Sequence, residues 1–406
     1  MKSRAENHGR VLIVVENLPV PYDSRVWLEA ISLARAGMCV SVISPTGHKY
    51  RPGYQFLEDV HIHRYPMLVE GSGKWGLVLE YVWAFVCIFL LSVRIGAFGR
   101  GFDVIQVCNP PEIFWPTTFM WKAFGKRVVF DHHDLTPELF LAKFGGGRGI
   151  MYRLFLLMEK LTFLSADFVI STNESYRAIA RTRGGKPGDR VFVVRNGPDP
   201  RRLQRVDRDV SWKRGRKHLV TFLGEIGEQD GVDRLLRAVR HIIRDAGRDD
   251  IQFVILGGGP HFEAIVQYAG ELGIRDYVTF TGRVEADVIN CVLSTADVAT
   301  DPSPKTDYSD KSTDIKIMEY LFFGVPVVAS DLTEARVSAA DCAVYAEPED
   351  EARFAKTILE LIDDPERARE IGRRGHARVR RHFLWEHSEP IYLETMRKAL
   401  NFRARE

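Results

Sequence analysis

Lys316 and Glu319, three residues apart, are the charged pair whose spacing points to binding chemistry in this chain. On a helix, this spacing places the ammonium and the carboxylate on one face, and an apolar strand pattern follows at residues 325–329. A helix that starts near Thr313, after Ser312, also offers unpaired backbone N–H groups to an anion. The pattern predicts a sugar-nucleotide site, with Lys316 at phosphate and Glu319 at ribose hydroxyls. A surface ion pair on an ordinary amphipathic helix is the alternative interpretation.

A second polar group, DHHD at residues 131–134, follows the apolar strand pattern RVVF. The carboxyl ends of parallel strands form the ligand-binding edge of a sheet, so catalysis is expected there. A capped histidine and aspartate pair on the surface is the alternative. Residues 207–209 have a D-x-D spacing that some enzymes use for a divalent metal, but they lie in a basic, non-periodic segment. No metal site is therefore predicted.

Strand and helix patterns alternate along the chain, which predicts an α/β fold with parallel sheets. The alternation stops in a charged, non-periodic segment at residues 199–217 and then restarts. We therefore expect two doubly wound, Rossmann-like domains, residues 1–198 and 218–384, that face each other across a cleft, with 199–217 as the linker. A terminal helix in residues 385–406 is expected to return to the first domain.

Length and composition set further bounds. The 406 residues exceed the roughly 250 to 300 at which one core stops growing, which agrees with two domains. Lys plus Arg number 56 against 54 for Asp plus Glu, so nucleic acid is not an expected partner. Five widely spaced cysteines are typical of free thiols in a reducing compartment. The first apolar run is only five residues long, too short for a signal peptide, so a cytoplasmic location is expected.

Residues 75–98 are the most hydrophobic part of the chain. Their length is compatible with a membrane span, but a half-buried crossover helix is preferred because they lie between two parallel-strand patterns. A third interpretation is peripheral contact with the inner face of the cell membrane. Its interfacial residues would be aromatic and basic: Trp75, Trp83, Lys74, Arg94, Arg100, Lys122, Lys126 and Arg127. If there is no membrane contact, the aromatic and aliphatic residues of the stretch should all pack inside the first domain: Trp83, Phe85, Ile88 and Phe89.

Several motifs together resemble the GT4 glycosyltransferases of GT-B fold over essentially the whole chain: DHHDLTPE, VVRNG, FLGEIGEQDGVDRLLRAV, ILGGGP, VTFTGRV and KIMEYLFFGVPVVASDL. The resemblance implies a hexosyltransferase in which the second domain binds a nucleotide diphosphate sugar and the first domain binds the acceptor. It also implies retention of anomeric configuration and no required metal or cofactor. UDP is favoured over GDP. The branch that the chain resembles acts in bacterial surface polysaccharide assembly, which suggests a lipid-linked saccharide acceptor.

The resemblance also assigns roles to particular residues. Lys316 resembles the diphosphate-binding cation, Glu319 the ribose-binding second acid of the E-x7-E motif, and His133 the histidine beside the donor sugar. The remaining substrate-binding candidates are Gly224 and Gly227 in the phosphate loop, Arg283 and Val284 at the base, Ser312 and Thr313 before the lysine, and Asn196 in VVRNG.

The chain departs from the family pattern at three positions. Lys311 stands where the first acid of E-x7-E is expected, and Glu225 and Asp230 stand where the family often carries an Arg and a Lys. These departures leave a second function open, a catalytically silent subunit that binds nucleotide and supports a partner enzyme. A sugar-nucleotide 2-epimerase is a third, although no second acid partner is evident in the C-terminal half.

Overall fold

The computed structural model describes residues 9–47, 50–67, 73–145 and 147–402, with only the backbone given for residues 73–75 and 77. The side chains of Lys74 and Trp75, two of the expected interfacial residues, therefore lie outside the described part. The chain divides into two compact units. The first comprises Met1–Leu141, Gly146–Arg195 and Glu386–Glu406, and the second comprises Ala142–Gly145 and Asn196–Trp385.

An eight-stranded sheet forms the centre of the first unit, in the order β3-β4-β2-β1-β5-β6-β7-β8. Every neighbouring pair is parallel except β3 and β4, which are antiparallel. The strands are β1 (Arg10–Val14), β2 (Cys39–Pro45), β3 (Gly53–Leu57), β4 (Val60–Tyr65), β5 (Val104–Cys108), β6 (Arg127–His132), β7 (Phe168–Ser171) and β8 (Val191–Val193). The central strands are buried along their length because helices cover both faces of a parallel sheet.

The helices of this unit follow the predicted alternation. They are α1 (Ser24–Arg35), α2 (Gly73–Phe98), α3 (Trp115–Ala123), α4 (Thr136–Phe144), α5 (Ile150–Ser165), α6 (Glu174–Thr182) and α14 (Trp385–Asn401). Residues 386–406 belong to the first unit, so the return of the terminal helix to this unit is confirmed. Asp23 caps α1 by accepting a hydrogen bond from the Val26 N–H at 3.0 Å, which fixes the start of the helix.

The hairpin of β3 and β4 was not foreseen from the sequence. β3 is an edge strand that leaves Tyr54 and Phe56 exposed, so it lacks the buried, β-branched run that marks the central strands. β4 is recognisable only in its buried face, which Val60 and Ile62 supply.

The second unit is built on a six-stranded, fully parallel sheet in the order β11-β10-β9-β12-β13-β14. Its strands are β9 (His218–Leu223), β10 (Ile251–Leu256), β11 (Val278–Phe280), β12 (Val298–Asp301), β13 (Val327–Ser330) and β14 (Ala343–Ala346). Its helices are α7 (Val232–Arg240), α8 (Phe262–Glu271), α9 (Ala286–Thr295), α10 (Ile315–Phe323), α11 (Thr333–Ala339), α12 (Glu351–Asp363) and α13 (Pro365–His382). The parallel α/β architecture predicted for both halves is confirmed.

The segment 199–217, predicted to be a linker, is packed on the second unit. Leu203 is buried in the core of that unit, and the backbone of residues 202 and 204 is hydrogen-bonded to the Asn290 side chain of α9. Farther along, Lys213 forms an ion pair with Asp297 at 2.8 Å. Charge and missing periodicity indicate irregular structure, but they do not show whether a segment is packed.

The helix that carries Lys316 starts later than predicted, at Ile315 instead of near Thr313. It ends at Gly324, which adopts φ 69°, as expected for a glycine that terminates a helix. The helix is buried on most of its circumference, including Lys316. The alternative of a surface ion pair is therefore wrong.

One described helix, α2, is long and apolar enough to cross a membrane by length and composition, in the window Val78–Phe98. Only 22% of that window is buried. Ile88 is buried, whereas Trp83, Phe85 and Phe89 are half-buried, so the stretch is a partly exposed crossover helix.

Candidate functional site

In the second unit, Lys316 lies among carboxylates at the carboxyl end of the sheet. Its Nζ is 3.5 Å from Oδ1 of Asp301, the last residue of β12, and 3.6 Å from Oδ1 of Asp314, which precedes α10. It also lies 5.0 Å from the centre of the Phe222 ring. Neither aspartate was predicted from the sequence, although Asp301 is a polar residue at the end of a buried strand, which is the signal that pointed to residues 131–134.

Burial and like charges set the protonation of this cluster. Burial lowers the pKa of Lys316, but Asp314 and Asp301 outweigh it, so the net shift is upward and Lys316 stays charged. Burial and the neighbouring Asp301 raise the pKa of Asp314 to about 7, against the opposing effect of Lys316. Burial likewise raises the pKa of Asp230 to about 6, again opposed by Lys316. The cluster therefore takes up protons close to neutral pH.

Two glycine loops pack on each other beside this lysine. A Cβ on Gly224 would lie 3.3 Å from Cε of Lys316, and a Cβ on Gly257 would clash with the Gly224 carbonyl. The loop N–H groups of Ile226 and Gly227 are already bonded, to the Gly258 carbonyl at 3.2 Å and to Asp230 Oδ2 at 2.9 Å. The loop of Gly224 and Gly227 was expected to bind phosphate, and the structure uses these two of its amides to fix the loop.

Arg283 and Val284 follow β11 and lie next to the second glycine loop. A Cβ on Gly258 would meet Cγ of Arg283 at 3.1 Å, and Val284 packs on the core of the unit. Contacts thus run from Lys316 through both loops to Arg283. Within the described residues, the guanidinium of Arg283 and the half-buried carboxylate of Glu319 form no hydrogen bond or ion pair. Burial raises the pKa of Glu319, opposed by Arg202 and Lys316.

The serine and threonine before the lysine turn their hydroxyls to partners within the chain. Ser312 donates to the Tyr308 carbonyl at 2.9 Å, and Thr313 donates to Glu334 at 3.4 Å. Asn196 lies half-buried in the loop after β8. Lys311, at the position of the expected first acid, lies 3.4 Å from the Asp307 carboxylate.

In the first unit, His133 directly follows β6 and is half-buried. Its Nε2 lies 2.7 Å from Oδ2 of Asp131, and its backbone N–H donates to Asn109 Oδ1 at 2.6 Å. Arg25 of α1 forms a buried ion pair with Asp131 at 2.8 Å. The Asp131 and His133 pair is therefore part of a buried network, so the alternative of a surface pair is wrong.

His132, the other histidine of the motif, points into the core. Neither of its ring nitrogens has a hydrogen-bond partner in the described part of the chain, and burial lowers its pKa to about 3, aided by Arg183. It is a neutral core residue. Ligand-type atoms of Cys108, Asp131 and His133 lie within 4.8 Å of one another, as in a metal site. The Arg25 guanidinium already places a positive charge against this group.

The comparisons with known proteins agree with this geometry. The family model "Glycosyl transferase 4-like domain" matches residues 24–197, and "Glycosyl transferases group 1" matches residues 217–364. The sucrose-phosphate synthase of Thermosynechococcus elongatus has a similar fold, with a TM-score of 0.73 at 18% identity over 96% of this chain and 98% of that chain. The fold and the two family matches assign the chain to the GT-B class of glycosyltransferases.

Two glycosyltransferases of known name are similar to the chain in sequence. The alpha-maltose-1-phosphate synthase of Mycolicibacterium smegmatis is 28% identical over 68% of this chain and 74% of its own length. The GDP-mannose-dependent alpha-(1-6)-phosphatidylinositol monomannoside mannosyltransferase of Mycobacterium tuberculosis is 28% identical over 59% of this chain and 62% of its own length. The chain belongs to the GT4 glycosyltransferases, as the motifs predicted.

Proposed function

We propose that the protein is a retaining, metal-independent hexosyltransferase whose second unit binds a nucleotide diphosphate sugar at Lys316 and Glu319. The main support for this proposal is the position of these two residues. Lys316 is a buried cation at the carboxyl edge of a parallel sheet, and one helical turn away Glu319 keeps a carboxylate that forms no bond within the described residues. Such an unbonded acceptor suits the two hydroxyls of a ribose.

The site must accommodate an anion although three carboxylates surround its lysine. Protonation of Asp314, with a pKa of about 7, and of Asp230 below a pH of about 6 removes up to two negative charges, while Lys316 stays beside Asp301. The Asp314 side chain does not cap α10, and the first backbone N–H groups of a helix are suited to an anion. The departing diphosphate gains negative charge in the transition state, and removing one fixed donor of this kind costs about 2.7 to 4 kcal/mol.

For retention, the acceptor hydroxyl attacks the anomeric carbon on the face that the diphosphate leaves. The bond from the anomeric carbon to the diphosphate oxygen breaks, the bond to the acceptor oxygen forms, and the acceptor proton passes to a diphosphate oxygen. His133 is then not the base. It binds a sugar hydroxyl or stabilises the oxocarbenium-like centre. The product anomer, measured by the proton coupling of the transferred sugar, tests this assignment.

We assign the base of the nucleotide to the backbone beside Arg283 and Val284, with UDP preferred over GDP. The mannosyltransferase relative carries GDP-mannose in its name, so both bases belong in the experiment. A thermal-shift screen with UDP-, GDP- and dTDP-sugars separates them, since a ligand at 100 times its Kd adds about 2.7 kcal/mol of stability. No shift with any sugar nucleotide would contradict the donor site.

We place the acceptor, a lipid-linked saccharide in polysaccharide biosynthesis, in the first unit at the inner face of the cell membrane. α2 exposes apolar side chains at every fourth position, which puts them on one face of the helix. They are Val78, Val82, Val86 and Leu90. Arg94 is next in this series and Phe98, with 84% of its surface exposed, follows. A membrane surface would cover this stripe.

α5 adds a second apolar stripe. Ile150, Leu154, Leu157 and Leu164 are exposed, and Arg153 and Lys160 lie exposed beside them. The helix α3 lies between α2 and α5, because Trp121 donates to Ser92 at 3.0 Å and Thr118 donates to Ser165 at 2.8 Å. The two stripes thus belong to one helical layer. Apolar area with nearby cations is the combination that binds an anionic bilayer reversibly.

Some cations assigned to this surface from the sequence are used within the protein. Lys122 forms an ion pair with Asp167 at 2.8 Å, and Arg127 lies over the ring of Phe402 at 5.4 Å. We therefore assign the attraction to an anionic membrane surface to four exposed cations: Arg94, Arg100, Arg153 and Lys160.

A catalytically silent nucleotide-binding subunit is the second candidate function. It is favoured by Lys311, which places a cation at the position of the family's first acid. Turnover by the purified protein distinguishes this function from catalysis.

A further inference from the structure

Behind His133, the first unit contains a chain of buried polar side chains that reaches the terminal helix. Oδ2 of Asp131 lies 2.7 Å from Nε2 of His133 and accepts a hydrogen bond from Gln106 at 3.1 Å. The Tyr392 hydroxyl of α14 donates to Oε1 of Gln106 at 2.8 Å. Asp131, Gln106 and Tyr392 are fully buried. Four residues, from β5, β6 with the residue after it, and α14, therefore form a continuous path from α14 to the histidine.

Arg25 controls the ionisation of Asp131 in this path. Although burial raises the pKa of Asp131, the guanidinium of Arg25 and the His133 ring hold that pKa well below its usual range. Burial and the nearby Asp131 raise the pKa of Glu29 well above its usual range. The Arg25 guanidinium thus favours the ionised form of Asp131, whereas burial favours the neutral form of Glu29.

These contacts decide which ring nitrogen of His133 carries the proton. Nε2 lies 2.7 Å from Asp131 Oδ2, and the Nε–H of Arg25 points to the same nitrogen at 3.0 Å. Without a proton on Nε2, its lone pair would face the full charge of a carboxylate at the shorter of the two distances. The N–H of Arg25 has another acceptor, since it also donates to Asp131 Oδ2 at 3.4 Å. The proton therefore belongs on Nε2, where it donates to Asp131.

We propose that Asp131 is a positioning residue that keeps the proton of His133 on Nε2 and leaves Nδ1 to accept a hydrogen bond from a sugar hydroxyl, and that Tyr392 supports it through Gln106. This inference rests on the proposed function of His133. Through Tyr392, the terminal helix α14 then helps to position His133 in addition to completing the fold of the first unit. A network that only stabilised the fold would not need to keep the proton on one particular ring nitrogen of His133.

The first experiment is independent of activity. The full chain is labelled with 15N-histidine, and the ring nitrogens of His133 are assigned by comparison with His133→Gln. The ring nitrogen shifts show where the proton resides. We expect a proton on Nε2. An unprotonated Nε2 would overturn the inference, whether or not the protein proves to be a transferase.

Kinetics provide the second experiment. Asp131→Asn should lower kcat about tenfold or more with a smaller change in the donor KM, since an amide can present an N–H to Nε2 and favour the other tautomer. Because this variant also breaks a buried ion pair, Tyr392→Phe is measured beside it. It should lower kcat by about two- to tenfold, as for the loss of one neutral hydrogen bond.

Tyr65→Phe is the matched control. Tyr65 is a buried tyrosine of the same unit whose hydroxyl has no hydrogen-bond partner within the described residues. It should leave kcat unchanged. Equal kcat values for Tyr392→Phe, Tyr65→Phe and the parent protein would overturn the role of Tyr392. A protein that transfers no sugar would count against the proposed function, while the labelled histidine would still test the assignment of the proton.

Discussion

The ammonium of Lys316 lies 3.5 Å from the buried carboxylate of Asp301, so this cation is paired within the protein before any anion arrives. Removing one member of a buried pair leaves the other charge uncompensated, which typically costs about 3 to 5 kcal/mol. The loss of Lys316 should therefore affect folding as well as transfer, and the two effects need to be separated by experiment.

Lys316→Ala should lower the free energy of unfolding by about 3 kcal/mol, because Asp301 is left buried and unpaired. It should also reduce turnover by about 10² or more, since a fixed donor to the diphosphate is lost. Chemical denaturation and a transfer assay measure the two quantities. A stable variant with activity within tenfold of the parent would contradict the phosphate assignment.

The double variant Lys316→Ala with Asp301→Asn is the control for stability. Neutralising the aspartate removes the unpaired charge, so most of the lost stability should return while turnover stays low. Recovery of turnover together with stability would show that Lys316 acts only through the fold.

Donor affinity should fall as pH rises from about 6 to about 8. Burial raises the pKa of Asp314 to about 7 and that of Asp230 to about 6. At a pH below its pKa, each acid is protonated and neutral, so the diphosphate meets less negative charge. Above both pKa values the acids ionise, and binding must then take up protons. Each proton taken up changes affinity by about tenfold per pH unit at most. Titration calorimetry with a sugar nucleotide, which does not itself ionise in this range, measures the trend.

Asp314→Asn removes one of the two titrations. Its affinity should depend less on pH and should exceed that of the parent at the alkaline end. The same pH slope in both proteins would exclude Asp314 as a coupled group and leave Asp230 to account for it.

The sequence predicted the elements of this site better than their contacts. The helix of Lys316 and its end at Gly324 follow from local patterns. The partner Asp301 ends β12, the strand before α10, and lies 15 residues from Lys316 across an irregular loop. Arg25 lies 106 residues from its partner Asp131. Long-range ion pairs leave no periodic signal in the sequence, so neither pair was predicted.

Glu319 should recognise the ribose and not the phosphates. Glu319→Ala should weaken binding of UDP or GDP by about tenfold or more, the value of one hydrogen bond to a charged group. The test compares each nucleotide with its 2′,3′-dideoxy analogue. The parent should prefer the ribonucleotide, and the variant should bind both alike. A preference that survives the substitution would remove Glu319 from the ribose site.

The first unit should bind anionic liposomes through the stripes of α2 and α5. Val82→Glu with Leu90→Glu should abolish flotation with the vesicles, because two charges then enter the apolar face of α2. Leu154→Glu with Leu157→Glu should weaken it as well if α5 belongs to the same surface. Binding by the parent should rise with anionic lipid and fall with salt.

Val210→Glu supplies the matched control for these substitutions. Val210 is 70% exposed in the second unit, so the same chemical change there should leave flotation intact. A parent protein that stays in solution at every lipid composition would refute the membrane proposal and leave the donor site untouched.

The central claim is tested most directly by incubating the purified protein with labelled UDP- and GDP-sugars and lipid-linked saccharide acceptors, with and without excess EDTA. We expect transfer of label from one of these donors to the acceptor, unchanged by the chelator and lost in the stable double variant of Lys316 and Asp301. Binding of the nucleotide without any transfer would contradict it and favour the silent subunit. Transfer that EDTA abolishes and Mg²⁺ or Mn²⁺ restores would contradict the metal-independent mechanism.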